Sequence, residues 1–292
     1  MNKLTTILTI AAMVFAASCN KAETSAQEAM TFSVSIPATK AVAADGSQIN
    51  KVWFGLYKTD GTLVKNFGAV DFENGSAECP VTMVRDQSYK VVFVAYKENL
   101  AYKENSYVID PANATVSFLE NPYANSDDFD LFYQLLEVNK YDGSRTESVV
   151  LNRAVALVNF RSSDSDWTNA SALLGAAPTY SSVTLEGVPA RFNLLTGIAD
   201  NTTDITYSRK DIPGEKYLAA AYCFAGDNIT AIINLYTADE DDALVSTLTV
   251  GNVPVAANKQ TNITGSIMTD TVDFDITIST GTPETNDNVT IQ

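Results

Sequence analysis

The sequence contains no histidine, and it has little else that the common catalytic sites require. Without histidine there is no Ser-His-Asp or Cys-His nucleophilic site, no histidine-bearing zinc site and no imidazole general base. Only three cysteines occur, which is too few for a disulfide framework. Paired carboxylates are therefore the one common catalytic device that the composition leaves open.

Basic residues are also scarce, because 19 Lys and Arg stand against 35 Asp and Glu, a formal net charge of -16. A field of this sign repels nucleic acid and bare anionic lipid, so we expect neither as a partner. The 292 residues are enough for one large domain or two ordinary ones.

The amino-terminal segment predicts export. An apolar stretch over residues 4–17 follows Lys3 and ends in small residues directly before Cys19. Such a segment is typical of a secretory signal and is too short for a stable membrane span. A cysteine at this place resembles a bacterial lipobox, in which the cysteine is acylated and becomes the first mature residue. We predict a signal peptide over 1–18 and a lipidated tether over 19–29; a plain secretory signal that contains a cysteine is the alternative.

The rest of the chain predicts strands. Apolar and polar residues alternate through Phe32, Val34 and Ile36, which indicates a strand with one buried face. Asp60-Gly61 between two β-rich runs is a hairpin signal, and Asn74-Gly75 and Gly226-Asp227 repeat it. Only residues 166–174 look helical. Further strands are predicted at 51–58, 62–67, 69–72, 77–79, 89–96, 115–118, 147–151, 154–160, 182–186, 218–224, 229–236, 244–250, 261–267 and 272–278.

Many short strands with closely spaced turns predict an all-β protein made of antiparallel sandwiches. The pattern breaks near residues 147–152, where a polar loop gives way to a new apolar run. We therefore predict an N-terminal β-sandwich domain over 30–150 and a C-terminal β-sandwich domain over 151–292.

Two acidic clusters and two cysteines are candidates for chemistry. Oxygen ligands at Asp127-Asp128-Asp130 and at Glu240-Asp241-Asp242 could hold calcium, but neither cluster has the spacing of an EF-hand loop. Solvated turns are the favoured interpretation, and we predict no metal and no cofactor. Cys79 and Cys223 both lie in predicted strands, and we expect them to be buried, unpaired thiols.

Aromatic residues offer a binding surface. Trp53 and Tyr57 share a strand face across Gly55, and Tyr102, Tyr107 and Tyr123 stand near loops. Together they could form a stacking platform for sugar rings. Burial in the core is the alternative, and general burial statistics favour it.

Three segments resemble a known family. Residues 151–160 (LNRAVALVNF), 187–197 (GVPARFNLLTG) and 253–269 (VPVAANKQTNITGSIMT) are similar to recurring segments of fimbrillin-like lipoproteins, the subunits of type V pili and their relatives in gut and oral anaerobes. The resemblance implies two tandem antiparallel β-sandwich domains of the transthyretin-like or fimbrillin type. It also implies an outer-membrane lipoprotein and, in pilus-forming members, polymerisation by strand exchange after a protease removes the first strand.

The same resemblance points to residues for processing and assembly. Lys40-Ala41 follows the 31–36 strand at the position where the family is cleaved, although the family usually has arginine there. Val289 and Ile291 alternate with polar residues near the end of the sequence and are a possible donor strand. The partners implied are the membrane through the lipid, other fimbrillin-like subunits, and a glycan or host surface ligand.

Three functions follow as hypotheses. The first is a non-enzymatic, lipid-anchored protein of the outer membrane and cell surface that serves as a fimbrial subunit or fimbria-like adhesin. The second is a glycan-binding surface lipoprotein of a carbohydrate uptake system. The third is a carboxylate glycosidase, which would need two facing carboxyl groups in a cleft.

Overall fold

The computed structural model describes residues 27–37, 46–98, 105–119, 122–163, 178–211, 217–237, 244–266 and 274–279. Within these ranges the chain forms β-strands and one short 3-10 helix at Asp127–Phe129, which confirms the all-β prediction. No helix in the described part is long and apolar enough to span a membrane.

In chain order the strands are β1 (Gln27–Ser35), β2 (Lys51–Lys58), β3 (Leu63–Asp71), β4 (Ser76–Val84), β5 (Tyr89–Tyr96), β6 (Tyr107–Asp110), β7 (Thr115–Phe118), β8 (Phe132–Val138), β9 (Thr146–Val150), β10 (Asn152–Arg153), β11 (Val155–Ser162), β12 (Tyr180–Asn193), β13 (Ile198–Asp211), β14 (Tyr217–Phe224), β15 (Ile229–Tyr236), β16 (Leu244–Val253), β17 (Gln260–Gly265) and β18 (Phe274–Ser279).

These strands form two β-sandwiches. In the first, the sheet β4-β1-β9 faces the sheet β10-β8-β5-β2-β3 across one apolar core. In the second, the sheet β14-β11-β17-β18 faces the sheet β16-β15-β12-β7-β6, with β13 paired to β12. Each core contains one free, fully buried cysteine, Cys79 in the first and Cys223 in the second, as predicted. Burial raises the pKa of both thiols to about 12.

The two sandwiches share one topology. In each, the first strand pairs antiparallel with the fourth strand and parallel with the last: β1 with β4 and β9, and β11 with β14 and β17. The facing sheets match as well, because β3-β2-β5-β8 corresponds strand for strand to β13-β12-β15-β16, with every pairing antiparallel. The second sandwich also has β18, which pairs antiparallel with β17 and has no equivalent in the described part of the first sandwich.

The sandwiches are interlocked through a third apolar group, which we call the junction cluster. It buries one face of the sheet formed by β2, β5 and β8 against the ends of β11, β12 and β14. The hairpin β6-β7, from the first half of the sequence, extends the second sandwich by pairing with β12. In return, β10 extends the first sandwich by pairing with β8. The predicted boundary at 150/151 thus falls in a region where strands cross in both directions, and it stays a prediction.

The turn signals were correct as turns but only partly as hairpins. Asp60-Gly61 joins β2 to β3 within one sheet, as predicted. Asn74-Gly75, however, carries the chain from β3 in one sheet to β4 in the facing sheet, and Gly226-Asp227 does the same between β14 and β15. A turn signal fixes the reversal of the chain, whereas the sheet that each strand joins depends on which core it helps to bury. The predicted helix at 166–174 lies outside the described residues.

Candidate functional site: the first strand and its groove

Strand β1 lies in the middle of its sheet and fills the first core. Met30, Phe32 and Val34 are fully buried, and the residues between them are only partly exposed. The Phe32 ring meets the Phe93 ring edge to face, with centroids 5.2 Å apart. The alternation predicted for this segment is therefore confirmed, and it places every second side chain in the core of the first sandwich.

Both edges of β1 are hydrogen-bonded. All nine residues are in register with β4, from Gln27 opposite Val84 to Ser35 opposite Ser76. The last five are in parallel register with β9. Removal of β1 would leave a groove between β4 and β9, because neither of these strands pairs with the other. The groove would be lined by unpaired backbone groups and by the apolar residues that now contact β1.

Weak contacts hold the amino-terminal end of β1. The guanidinium of Arg85 donates to Glu28, with Nη2 to Oε1 at 2.8 Å, and the Ser144 N–H donates to Oε2 of Glu28 at 3.2 Å. Arg85 is about half exposed, and ion pairs of this kind contribute at most about 1 kcal/mol. Burial of the three core side chains is consequently the main force that retains the strand.

A tight packing contact lies at the carboxyl end of β1. Gly46 has a φ of +72°, and a Cβ atom there would come within 2.5 Å of Cδ1 of Ile36. Ile36 packs at the margin of the first core. A residue other than glycine would be disfavoured here for two reasons: the positive φ strains its backbone, and Ile36 occupies the place of its Cβ atom.

The residues predicted for lipidation, processing and strand donation lie outside the described ranges. They are Cys19, Lys40, Ala41, Val289 and Ile291. Lys40 falls in the segment 38–45 that follows β1 and separates it from Gly46. These assignments stay predictions, and sequence reasoning had no signal for β9, the strand that flanks β1 in parallel, as part of this site.

The aromatic platform is not formed by the residues proposed for it. A Cβ atom on Gly55 would meet both the Trp53 and Tyr57 rings, so the two do share a face. That face belongs to the junction cluster, where Trp53 is 5% exposed and Tyr57 and Tyr107 are buried. Tyr123 is partly buried against the same cluster, and Tyr102 lies outside the described residues. The core interpretation is therefore correct for Trp53, Tyr57 and Tyr107.

The first acidic cluster serves the junction rather than an ion. Asp130 is 1% exposed and accepts two hydrogen bonds from Arg153, with Nε to Oδ1 at 2.8 Å and Nη2 to Oδ2 at 2.9 Å. The Tyr222 hydroxyl donates to Asp127 at 2.8 Å. Within the described residues no group of three metal-ligating side chains occurs. The second cluster, at Glu240-Asp241-Asp242, lies outside them.

Known structures share this architecture. A protein from Bacteroides thetaiotaomicron VPI-5482, named for a proposed polysaccharide-binding role (DUF1812), is 11% identical, with a TM-score of 0.51 over 88% of this chain and 100% of its own. A proposed cell adhesion protein from Bacteroides ovatus ATCC 8483 is 10% identical, with a TM-score of 0.51 over 89% and 99%. At such identity the likeness shows the fold alone.

Two further comparisons concern the family to which the sequence belongs. No curated protein matches the sequence. One family model covers residues 20–290, nearly the whole length that follows the predicted signal peptide. The chain belongs to the family of unknown function DUF6562.

Proposed function

We propose that this protein is a non-enzymatic, lipid-anchored protein of the outer membrane and cell surface, and that it acts as a fimbrial subunit or fimbria-like adhesin. The observation that carries the proposal is the position of β1, a central strand with one fully buried face that precedes the segment containing Lys40. The lipobox-like junction at Cys19 and the resemblance to fimbrillin-like lipoproteins supply the anchor and the location.

In this proposal β1 can be exchanged. Cleavage after Lys40 would separate β1 from the rest of the chain, and loss of the strand would open the groove between β4 and β9. A strand from another copy, with Val289 and Ile291 as its apolar residues, would then restore the backbone pairing and cover the core. Fimbrillin-like subunits are accordingly the partners that we propose.

An enzymatic role has little support. The sequence has no histidine. In the first acidic cluster, Asp127 accepts a hydrogen bond from Tyr222 and Asp130 accepts one from Arg153. The glycan-binding alternative has less support, because Trp53, Tyr57 and Tyr107, three of the aromatic residues proposed to stack on sugar rings, are buried.

Two experiments test the proposal separately. Cells that make the wild-type protein should incorporate labelled palmitate into it and expose it to added protease, whereas Cys19→Ala should remove the label. A label that persists in Cys19→Ala would contradict the anchor. For exchange, a trypsin-like protease should convert purified protein into SDS-resistant, heat-sensitive ladders, and both Lys40→Ala and deletion of residues 285–292 should abolish them. A cleaved protein that stays monomeric would contradict assembly and leave the anchored adhesin.

A further inference from the structure

The two sandwiches differ at one edge of their equivalent sheets. In the second sandwich, β18 pairs with β17 over six residues, from Gln260 opposite Ser279 to Gly265 opposite Phe274. The equivalent of β17 in the first sandwich is β9, which has β1 on one side and no strand on the other in the described part of the chain. The first sandwich therefore has an open place where the second has a strand.

The outer edge of β9 is ready to accept a strand. The Thr31 N–H donates to the Arg145 carbonyl at 3.0 Å, and the Leu151 N–H donates to the Ser35 carbonyl at 2.8 Å. The odd-numbered positions of β9 thus bond to β1, so the backbone groups of Thr146, Ser148 and Val150 point away from it. None of these outward groups has a backbone partner among the described residues, and the Val150 side chain is 53% exposed.

In the second sandwich, β18 covers the outer edge of β17, and the opposite edge of that sheet, on β14, is covered as well. The outward groups of Ala220 on β14 bond to Asn125, whose N–H donates to the Ala220 carbonyl at 2.8 Å and whose Oδ1 accepts from the Ala220 N–H at 2.7 Å. The Ser181 hydroxyl donates to the Leu218 carbonyl at 2.7 Å on the same edge. Unpaired edges invite strand addition, and proteins usually cover them in this way. The outer edge of β9 has no such cover in the described part of the chain, and an added strand is one way to supply it.

We propose that residues 287–291 of the same chain pair with the outer edge of β9 as an added antiparallel strand. The path supports this occupant. Strand β18 ends at Ser279, opposite Gln260, which is itself paired with Leu157 at the junction. The linker 280–286 reaches up to about 25 Å when extended.

Direction and pattern agree with the same occupant. A segment that arrives from the junction meets β9 at its Val150 end, so it runs antiparallel to β9, as β18 does to β17. Val149 and Ile263 are alike, because both are buried and both belong to the positions whose backbone groups bond to the first strand of their sandwich. In the proposed register Val289 lies opposite Val149, as Ile276 lies opposite Ile263, and Thr290 then lies opposite Ser148.

This pairing goes beyond the proposed function, because it concerns the intact chain that keeps β1 and needs neither an anchor nor cleavage. It gives the first sandwich an equivalent of β18. It also places residues 287–291 on the sheet edge that flanks the exchangeable strand. The segment would have to leave that edge before it could pair with another copy.

A cysteine pair tests the register. In the full chain with Cys19→Ala, Ser148→Cys and Thr290→Cys should form an intramolecular disulfide under mild oxidation, since antiparallel neighbours have the required Cα separation. The matched control combines Thr290→Cys with Val108→Cys on β6, an exposed edge position of the second sandwich. Equal cross-linking in the two proteins, or none in either, would overturn the proposal. Disulfide-linked dimers from the first pair would overturn the intramolecular assignment and identify a second copy as the occupant.

Hydrogen exchange provides a readout without cysteines. Deletion of residues 287–292 should speed exchange of the Ser148 and Val150 amides by about tenfold or more, because each would lose its bond to the added strand. Amides of β16 in the second sandwich should not change. Unchanged exchange on β9 would show that the edge is open in the wild-type chain and would overturn the proposal.

Discussion

The first and second sandwiches use one topology and differ in how their margins are completed. The second is closed on one side by β18 and receives the hairpin β6-β7 from the first half of the chain. Within the described residues, the first receives the two-residue strand β10, and no strand covers the outer edge of β9. The comparison indicates that the second sandwich is the completed form of the pair, and that the first is the one in which a strand can be added or replaced.

The largest expected effect comes from separating the two sandwiches. A fragment of residues 27–150 would expose the junction cluster and leave β6-β7 without β12, and a fragment of 151–279 would lack that hairpin. We expect neither fragment to show a cooperative thermal transition alone, although a mixture of both should recover one. Calorimetry of the fragments and of the mixture checks this. A cooperative transition in each separate fragment would show that each sandwich folds by itself and would contradict the prediction.

Removal of one partner from the buried ion pair should have the next largest effect. Arg153→Met would leave Asp130 buried without its cation and should lower the free energy of unfolding by about 3–5 kcal/mol. The matched control is Arg191→Met, which removes an exposed pair of similar geometry to Asp200 and should have a much smaller effect, because solvent screens that pair. Urea unfolding measures both, and equal losses would mean that the junction is not held by this pair.

Core substitutions on the first strand of each sandwich should have the next largest effect. Phe32 on β1 and Val158 on β11 are both fully buried. Phe32→Ala should cost about 3–5 kcal/mol and Val158→Ala about 2 kcal/mol. In Phe32→Ala, the amides of β4 and β9 should also exchange faster, because their shared strand is loosened. Faster exchange confined to the second sandwich would contradict the view that β1 is the weakly retained strand.

The smallest effect concerns the thiols, one in each core. Burial raises the pKa of Cys79 and Cys223 from 9.0 to about 12, so both stay protonated in the folded protein while the unfolded chain ionises from about pH 9. The folded state then binds more protons than the unfolded state, and stability falls as the pH rises from about 9 to 12. The double variant Cys79→Ala and Cys223→Ala should show a smaller fall in urea midpoint over that range. If iodoacetamide readily alkylates one of the two thiols in the folded protein at pH 9, that thiol is accessible and the prediction is wrong for its sandwich.

Most strands could be predicted because their side chains carry the information. Strand β1 alternates cleanly, and β5 and β14 are nearly continuous apolar runs that match burial on both faces. Strand β13 was missed, since Asn201, Thr202 and Thr203 are exposed and lack an apolar period. Strand β8 was missed as well, and its middle is only partly buried.

The site could be predicted only in part. The sequence marks β1 as an amphipathic strand, but nothing local in Thr146–Val150 says that it will lie parallel to β1. The same limit applies to β6-β7, whose pairing with β12 depends on residues far along the chain. Local patterns determine which face of a strand is buried, whereas the identity of its neighbour depends on long-range packing.

The hairpin β6-β7 also constrains the timing of folding. Residues 107–118 precede β12 in the chain, and the carboxyl end of β12 follows roughly 75 residues later. Until that strand is available, the apolar side chains that the hairpin buries, among them Tyr107 and Val116, have no partner from β12. A chain that emerges from its amino-terminal end is therefore most exposed to misassembly when only its first half is free to fold, and a holdase chaperone would give it the greatest benefit at that stage.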